Sequence, residues 1–328
     1  MDDQPGSMQS KEPVIILTGP TAVGKTHLSI ALSKAVKGSV ISADSMQVYR
    51  HMDIGSAKIM PEEMEGIPHY LIDILDPEEE FNVVLFQQYA KKAMAEIRSE
   101  GRIPVIAGGT GFYIQALLKD VDFGTDPDAG VGHPAGLRQE LESFAEKEGN
   151  EALYRRLQEL DPEAAAEIHP NNVRRVVRAI EFYEENGTPI SEHNAAARAQ
   201  SSPYQYVYFV LDDERSRLYE EIDRRIDAMI GNGLVEEVRK LLMRGLSRDS
   251  ASMKGLGYKE LLPYFRGEYD LDEAIRIIKR DTRHFAKRQL TWFRREQNVI
   301  WIRKQDYQYD EEAILQFMLE KLRENGII

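Results

Sequence analysis

The 328-residue chain contains no cysteine. Disulfides, zinc–thiolate centres and thiol nucleophiles are thereby excluded, and a reducing cytoplasm fits that composition. Nor does any stretch approach the ~18 consecutive apolar residues of a membrane helix. The opening MDDQPGSMQSKEP is polar and acidic, with neither an apolar signal core nor an arginine-rich targeting pattern, and reads as a frayed terminus. Internal repeats and low-complexity tracts are absent too. Positive charge is scarce overall: 42 Lys and Arg against 55 Asp and Glu give −13, which disfavours indiscriminate adhesion to nucleic acid or anionic membrane.

That scarcity is uneven. Between Arg276 and Lys304 ten Lys and Arg stand against Asp281 and Glu296, so an acidic protein still carries a basic stretch able to meet a polyanion. With 42% hydrophobic residues the chain can bury a substantial core in one large or two smaller domains.

Short β-branched runs alternate with helical stretches: Val14–Thr18, Leu28–Val36, Ser39–Ala43, Tyr70–Ile74, Val83–Glu100 and Ile103–Ala107. Such alternation predicts an α/β fold, a phosphate-loop-type parallel sheet flanked by helices. Asn82 is placed to cap the helix that Gly101 stops. Residues 121–136 are rich in Gly, Pro and Asp and read as a linker or exposed loop. Helical patterns at Leu137–Lys147, Glu151–Glu159 and Asn172–Glu185 predict a smaller helical insertion domain over 121–202. The strand-like Tyr206–Leu211 returns the chain to the sheet. Helices follow at 215–230, 234–243 and 270–296, then a strand at Val299–Ile302. The core is thus expected at 13–120 and 203–305, with a C-terminal helix in 306–328.

Behind the first apolar run stands GPTAVGKT, Gly19-Pro20-Thr21-Ala22-Val23-Gly24-Lys25-Thr26. A strand before G-x-x-x-x-G-K-T and a helix after it make a specific phosphate-loop signal: inward-turned amides at a helix N-terminus hold anions. Lys25 reaches terminal phosphates and the Thr26 hydroxyl is placed to hold Mg²⁺. An NTPase normally adds an acid at the end of another buried strand. The candidate strand IPVIA ends instead in Gly108-Gly109-Thr110-Gly111, which disfavours a hydrolytic motor. Asp73 could be offered as that acid, or could be a solvated residue at a strand end.

The AGGTGFYIQALL turn repeats the strand-to-helix logic: two glycines bring backbone close to something and Thr110 supplies a hydroxyl, although a plain tight turn would also use the glycines. Both turns lie at carboxyl ends of parallel strands, where open α/β sheets bind ligands. Beyond the second strand, Asp44 could N-cap the next turn or accept a proton from a nucleophile. The residues alone therefore support transfer of a group from a Mg-diphosphate or triphosphate to a nucleophile activated by Asp44.

Taken in order, GPTAVGKT, SADSMQVYRHMDIGSAK, HYLIDILDP, AGGTGFYIQALL, IHPNNVRRVVRAIE, GLVEEV, GLGYKE and TRHFAKRQLTWFRR resemble the tRNA dimethylallyltransferase (isopentenyl-tRNA transferase) family over about residues 13–303. The resemblance implies transfer of dimethylallyl from dimethylallyl diphosphate to the exocyclic amine of the adenosine 3′ of a tRNA anticodon. The phosphate loop then grips a diphosphate leaving group, and no third-strand acid is needed. It implies Asp44 as general base, Thr110 and Arg225 as further catalytic residues, and Mg²⁺ on Thr26. Arg224 competes with Arg225, since helical neighbours point differently. For tRNA it implies contacts from Asp44, Ser45, Met46 and Gln47 to a flipped nucleotide. Further contacts would come from Arg138, Arg174, Arg175 and Arg178 on the insert and from Lys254, Tyr258, Lys259, Lys287 and Arg288 towards the carboxyl terminus. Tyr258 would stack on a base or sit in the core; Trp292 and Phe293 read as core packing. A cytoplasmic monomer is expected.

The pattern departs from the family at Ile59, where proline is usual, and at Tyr70, where a second histidine is common. A phosphate-loop small-molecule kinase, an adenylate prenyltransferase and a non-catalytic RNA scaffold are the rival readings. The first two do not need the insert or the basic stretch, and the third does not need Lys25, Thr26 and Asp44.

Overall fold

A computed structural model describes residues 11–121 and 136–328; most of the Gly/Pro/Asp-rich segment and the first ten residues lie outside the described residues. In chain order β1 (Glu12–Thr18) runs through the phosphate loop into α1 (Lys25–Val36), followed by β2 (Gly38–Ala43), β3 (His69–Tyr70), α2 (Val83–Ser99), β4 (Ile103–Gly108) and α3 (Gly111–Leu118). Helices α4 (Leu137–Glu148), α5 (Asn150–Leu160), α6 (Pro162–Glu167), α7 (Val173–Asn186) and α8 (Ile190–Ala199) come next. The chain then forms β5 (Tyr204–Asp212), α9 (Arg215–Gly231), α10 (Leu234–Met243), α11 (Leu261–Phe265), α12 (Leu271–Phe293), β6 (Val299–Arg303) and α13 (Glu311–Glu324).

The six strands form one parallel sheet in the order β3-β2-β4-β1-β5-β6. Central strands of such a sheet are covered on both faces, which explains the apolar run Val14 to Leu17, fully buried, and the burial of every residue of β2, Ser39 and Ser42 included. Thr18 pairs in register with Gly108, so the turns after β1 and β4 leave the same carboxyl edge side by side. The expected strand at Tyr70–Ile74 shrinks to two residues, because Leu71 and Asp73 take left-handed backbone angles that end the extended run. Asn82 caps α2 by accepting from the Val84 and Leu85 amides, and Gly101 follows the helix with φ 69°.

Two compact units emerge: the sheet with its helices, ending at Leu117 and resuming at Pro203–Ile328, and Leu118–Ser202. In the first, α13 joins the main core through Ile314, Met318 and Leu322. The second has its own core, built from Leu141, Leu153, Leu157, Val176 and Ile180. Its helices α6 and α8 are not visible in the sequence pattern: α6 is a single short turn run behind Pro162, and α8 is alanine-rich with little apolar stripe. Among the described residues no helix is long and apolar enough to cross a membrane.

Candidate active site

The phosphate loop owes its shape to glycines where other residues would be strained. Gly19 has φ 150° and a Cβ there would meet the Leu211 carbonyl at 2.6 Å, while Gly24 takes φ 96° as the N-cap of α1. The half-buried Lys25 folds back so that Nζ donates to the carbonyls of Gly19 (3.0 Å) and Pro20 (2.6 Å). Removal from water pushes its ammonium down to about 7; Arg225 adds to that lowering and Asp44 opposes it. Thr26 is exposed at the first turn of α1.

Around the loop lies a cavity of about 740 Å³, wholly within the larger unit. Thr21, Ala22, Gly24, Lys25 and Thr26 line one side of it, Asp44 to Gln47 another, and Thr110 and Arg225 complete the polar wall. Asp44 Oδ1 accepts from the Met46 amide at 2.8 Å, an Asx turn that leaves its second oxygen without a bonded partner among the described residues. Burial lowers the Arg225 guanidinium below its ordinary value, with Asp44 pulling it back up. Arg224 points elsewhere: its side chain is 70% exposed and pairs with Glu221 at 3.1 Å. Of the two arginines, Arg225 lines the cavity and Arg224 does not.

Gln47 has its amide fixed on both ends, accepting from Ser42 Oγ (3.1 Å) and donating to the Ala57 carbonyl (3.2 Å). The segment that follows is held by charges that sequence reasoning does not single out. Glu237 of α10 accepts from the amides of Asp53 and Ile54 (2.8 Å each) and Gly55 (3.0 Å). Lys58, with a side chain 1% exposed, donates to the Tyr49 carbonyl (2.7 Å) and to Asp53 and Asp73. Asp73 is therefore an anchor for Lys58 rather than a metal-site acid.

The glycines of the second turn allow other parts of the chain to approach closely. Added Cβ atoms would strike the Ala43 backbone at Gly108 (2.4 Å), Gln289 at Gly109 (2.2 Å) and Trp292 at Gly111 (2.2 Å). They admit neighbouring protein. Gln289 is a third residue that sequence reasoning misses, although it occupies an apolar position on the buried stripe Ala274, Ile278, Ala286, Phe293 of α12. That misplaced polarity was the available signal.

Two expected RNA contacts need correction. Tyr258 is fully buried, donates its hydroxyl to Glu237 at 2.7 Å, and packs so tightly over Gly55 that a Cβ there would lie 2.5 Å from its ring. It is a core aromatic and presents no face to a base. Arg138 forks onto Glu181, a carboxylate with no solvent exposure, through bonds of 2.9 and 2.7 Å. Its guanidinium neutralises the insert's own core charge instead of a phosphate. Arg174, Arg175 and Arg178 all lie on the exposed face of α7, opposite its buried Val176, Val177 and Ile180. Lys254, Lys259, Lys287 and Arg288 are exposed, and all but Lys287 border the cavity. Four other cations of the basic stretch are already paired: Arg276 with Glu273, Lys279 with Asp227, Arg280 with Asp281 and Arg283 with Asp223.

A parallel sheet whose phosphate loop shares one cavity with a carboxylate and a buried arginine defines a phosphate-loop group transferase. More narrowly, the chain belongs to the IPP transferase family, whose model matches residues 47–296. It is 57% identical over 317 residues to the tRNA dimethylallyltransferase of Lachnoclostridium phytofermentans, covering 97% of this chain and 99% of that one. Identity to the tRNA dimethylallyltransferase of Acetivibrio thermocellus is 48%, over 92% of this chain and 95% of the relative. Among solved structures, the full-length tRNA isopentenylpyrophosphate transferase of Bacillus halodurans aligns with a TM-score of 0.71 at 44% identity, covering 97% and 98% of the two chains. A eukaryotic dimethylallyltransferase acting on tRNA aligns at 0.73 and 28% identity, covering 89% and 74%.

Proposed function

We propose that this enzyme transfers a dimethylallyl group from dimethylallyl diphosphate to N6 of the adenosine 3′-adjacent to a tRNA anticodon, releasing diphosphate. The observation that carries the reading is one cavity lined by the phosphate loop, Asp44, Thr110 and Arg225. An anion cradle for the leaving group and a carboxylate for the nucleophile's proton are the two things this reaction needs.

The adenine amine is a weak nucleophile, its lone pair being delocalised into the ring. As it attacks the allylic C1, the C1–O bond breaks and that electron pair leaves on the diphosphate. The N6 proton passes to Asp44, a form of general-base help worth roughly 10²- to 10⁴-fold. Developing charge on the diphosphate is met by the loop amides, Lys25, Arg225 and the Thr110 hydroxyl, which line the same cavity. A base within a stacked loop cannot reach Asp44, so the nucleotide must flip out, which costs a few kcal/mol and least for an unpaired residue. Asp44 to Gln47 line the space it would enter, and the second N–H and second lone pair of the fixed Gln47 amide remain for an adenine edge.

Mg²⁺ fits the donor set. Mg²⁺ characteristically takes few protein ligands, keeping waters and phosphate oxygens, and the exposed Thr26 at the first turn of α1 offers one hydroxyl beside the loop. Thr26 would hold it, and when bound it neutralises leaving-group charge. Arg174, Arg175, Arg178, Lys254, Lys259, Lys287 and Arg288 are the proposed phosphate contacts to the anticodon stem-loop, such contacts supplying position more than sequence readout.

Incubation with labelled dimethylallyl diphosphate and Mg²⁺, with unmodified tRNA or with AMP, tests the reading. Label should enter tRNA. Label entering AMP alone would replace it with a free-nucleotide prenyltransferase.

A further inference from the structure

The turns after β1 and β4 are joined by a single side chain from a distant part of the sequence. Gln289 of α12, 7% exposed, accepts from the Thr21 amide through Oε1 at 2.9 Å and donates through Nε2 to the Gly109 carbonyl at 3.0 Å. Its amide orientation is set by these two partners, since a flipped amide would face donor to donor and acceptor to acceptor. One bond lands inside the phosphate loop and the other lands next to Thr110. The Thr21 amide is thereby turned to Gln289, and the loop's remaining amides are left for an anion.

We propose that Gln289 is a positioning residue that fixes the phosphate loop relative to the Thr110 turn, and so sets the geometry in which a diphosphate is gripped from both sides. This rests on the reading of the cavity as a prenyl-diphosphate site. Two further features fit the role. Gly109 leaves no room for any side chain beneath the amide, a Cβ there lying 2.2 Å from Nε2. One helical turn on, Trp292 seats against Gly111 in the same way, so α12 is keyed into the second turn at both positions. The helix is also anchored independently of Gln289: Arg283 and Lys279 pair with Asp223 and Asp227 of α9, the helix that carries Arg225. Replacing Gln289 therefore loosens the two loops without releasing α12.

The test uses the full chain with Gln289→Met, which keeps the volume and removes both bonds, and Gln289→Glu, which keeps an acceptor for Thr21 and turns a carboxylate on the Gly109 carbonyl. Three quantities are read: KM for dimethylallyl diphosphate, Kd for inorganic pyrophosphate with Mg²⁺ by calorimetry, and Kd for tRNA. Expected for Gln289→Met is a rise of about tenfold in the first two, the worth of one or two net hydrogen bonds, with tRNA affinity unchanged. Gln289→Glu should weaken pyrophosphate more, because it adds negative charge beside the anion. A folded Gln289→Met protein with wild-type KM and pyrophosphate Kd overturns the proposal, as does a lowered Tm with both constants unmoved. Should that variant not fold, wild-type pyrophosphate affinity in Gln289→Glu overturns it equally. Failure of the wild-type protein to label tRNA would defeat the proposed function instead, while the pyrophosphate titration still decides the role of Gln289.

Discussion

In the larger unit Lys25, Glu237 and Lys58 fix loop backbone, whereas the buried carboxylates of the helical insert answer an arginine or a helix end. Lys25 reaches two loop carbonyls, Glu237 three amides, and Lys58 a carbonyl as well as two carboxylates. In the insert, buried Glu181 is held by the Arg138 fork, and buried Asp161 caps α6 while accepting from the Ser191 amide and hydroxyl. The difference follows from what each region lacks. Loops at a sheet edge have no repeating hydrogen-bond ladder, so fixed charges must satisfy and shape their backbone. Helices satisfy their own backbone, and the insert's buried carboxylates Glu181 and Asp161 sit where helices meet. Substitutions at the cavity should therefore alter rate and affinity, and those in the insert core should alter stability.

The largest break is expected at Asp44. Its only bond among the described residues is the local one to the Met46 amide, so Asp44→Ala should leave Tm nearly unchanged. Transfer to tRNA should fall by roughly 10²- to 10⁴-fold, with tRNA affinity kept. If binding falls in step with single-turnover rate, the carboxylate holds the nucleotide rather than taking its proton.

Next comes Arg138. Arg138→Ala strands a fully buried carboxylate, and single losses from buried pairs typically cost 3–5 kcal/mol. The arginine is itself 48% exposed and water can reach the gap, so about 2 kcal/mol is the expectation in urea unfolding. Adding Glu181→Leu should recover most of that loss. A variant with unchanged stability but weakened tRNA binding would return Arg138 to the RNA surface.

Why the phosphate-loop side of the cavity was readable and its scaffold was not follows from sequence distance. Gly19, Lys25, Thr26 and Asp44 sit in local strand–turn–helix patterns whose chemistry is written in consecutive residues. Gln289 meets Thr21 across 268 positions and Glu237 meets Asp53 across 184, and nothing in either stretch names its partner. Helix α10 is predicted with its observed limits, Leu234–Met243, because its apolar stripe is continuous. The strand expected at Tyr70–Ile74 fails because composition does not encode the left-handed turns at Leu71 and Asp73. Tyr258 shows the same limit, since an aromatic between lysines looks the same in sequence whether its ring is buried or free.

A smaller effect, about tenfold per pH unit at most, is expected from Lys25. Burial holds its ammonium near 7 against an ordinary 10.5, with Arg225 adding to the lowering and Asp44 opposing it. Between those values the unfolded chain binds a proton that the folded protein does not, so this group's contribution to stability rises with pH across that window. Diphosphate favours the charged form and reverses the preference. Donor binding should take up a proton at pH 8, and KM for the donor should climb as pH rises above about 7. Calorimetry in buffers of different ionisation enthalpy measures the uptake, and Lys25→Arg should abolish it. Absence of uptake in the wild type would mean that the lysine stays charged in the free enzyme.

The smallest effect belongs to the insert's surface and tests whether its exposed charge is as functional as the cavity's. Arg174 and Arg175 have no carboxylate within 4 Å among the described residues, and α7 keeps its buried face without them. Removing both should leave stability unchanged and weaken tRNA binding several-fold at low salt. The decisive quantity is the slope of log K against log salt, which should flatten by about 0.7 to 0.9 for each phosphate that is no longer neutralised. A parallel line displaced downward would mean the arginines act without neutralising phosphates. An unchanged line would mean they are ordinary solvated charges, and the insert's contribution would then have to come from another face.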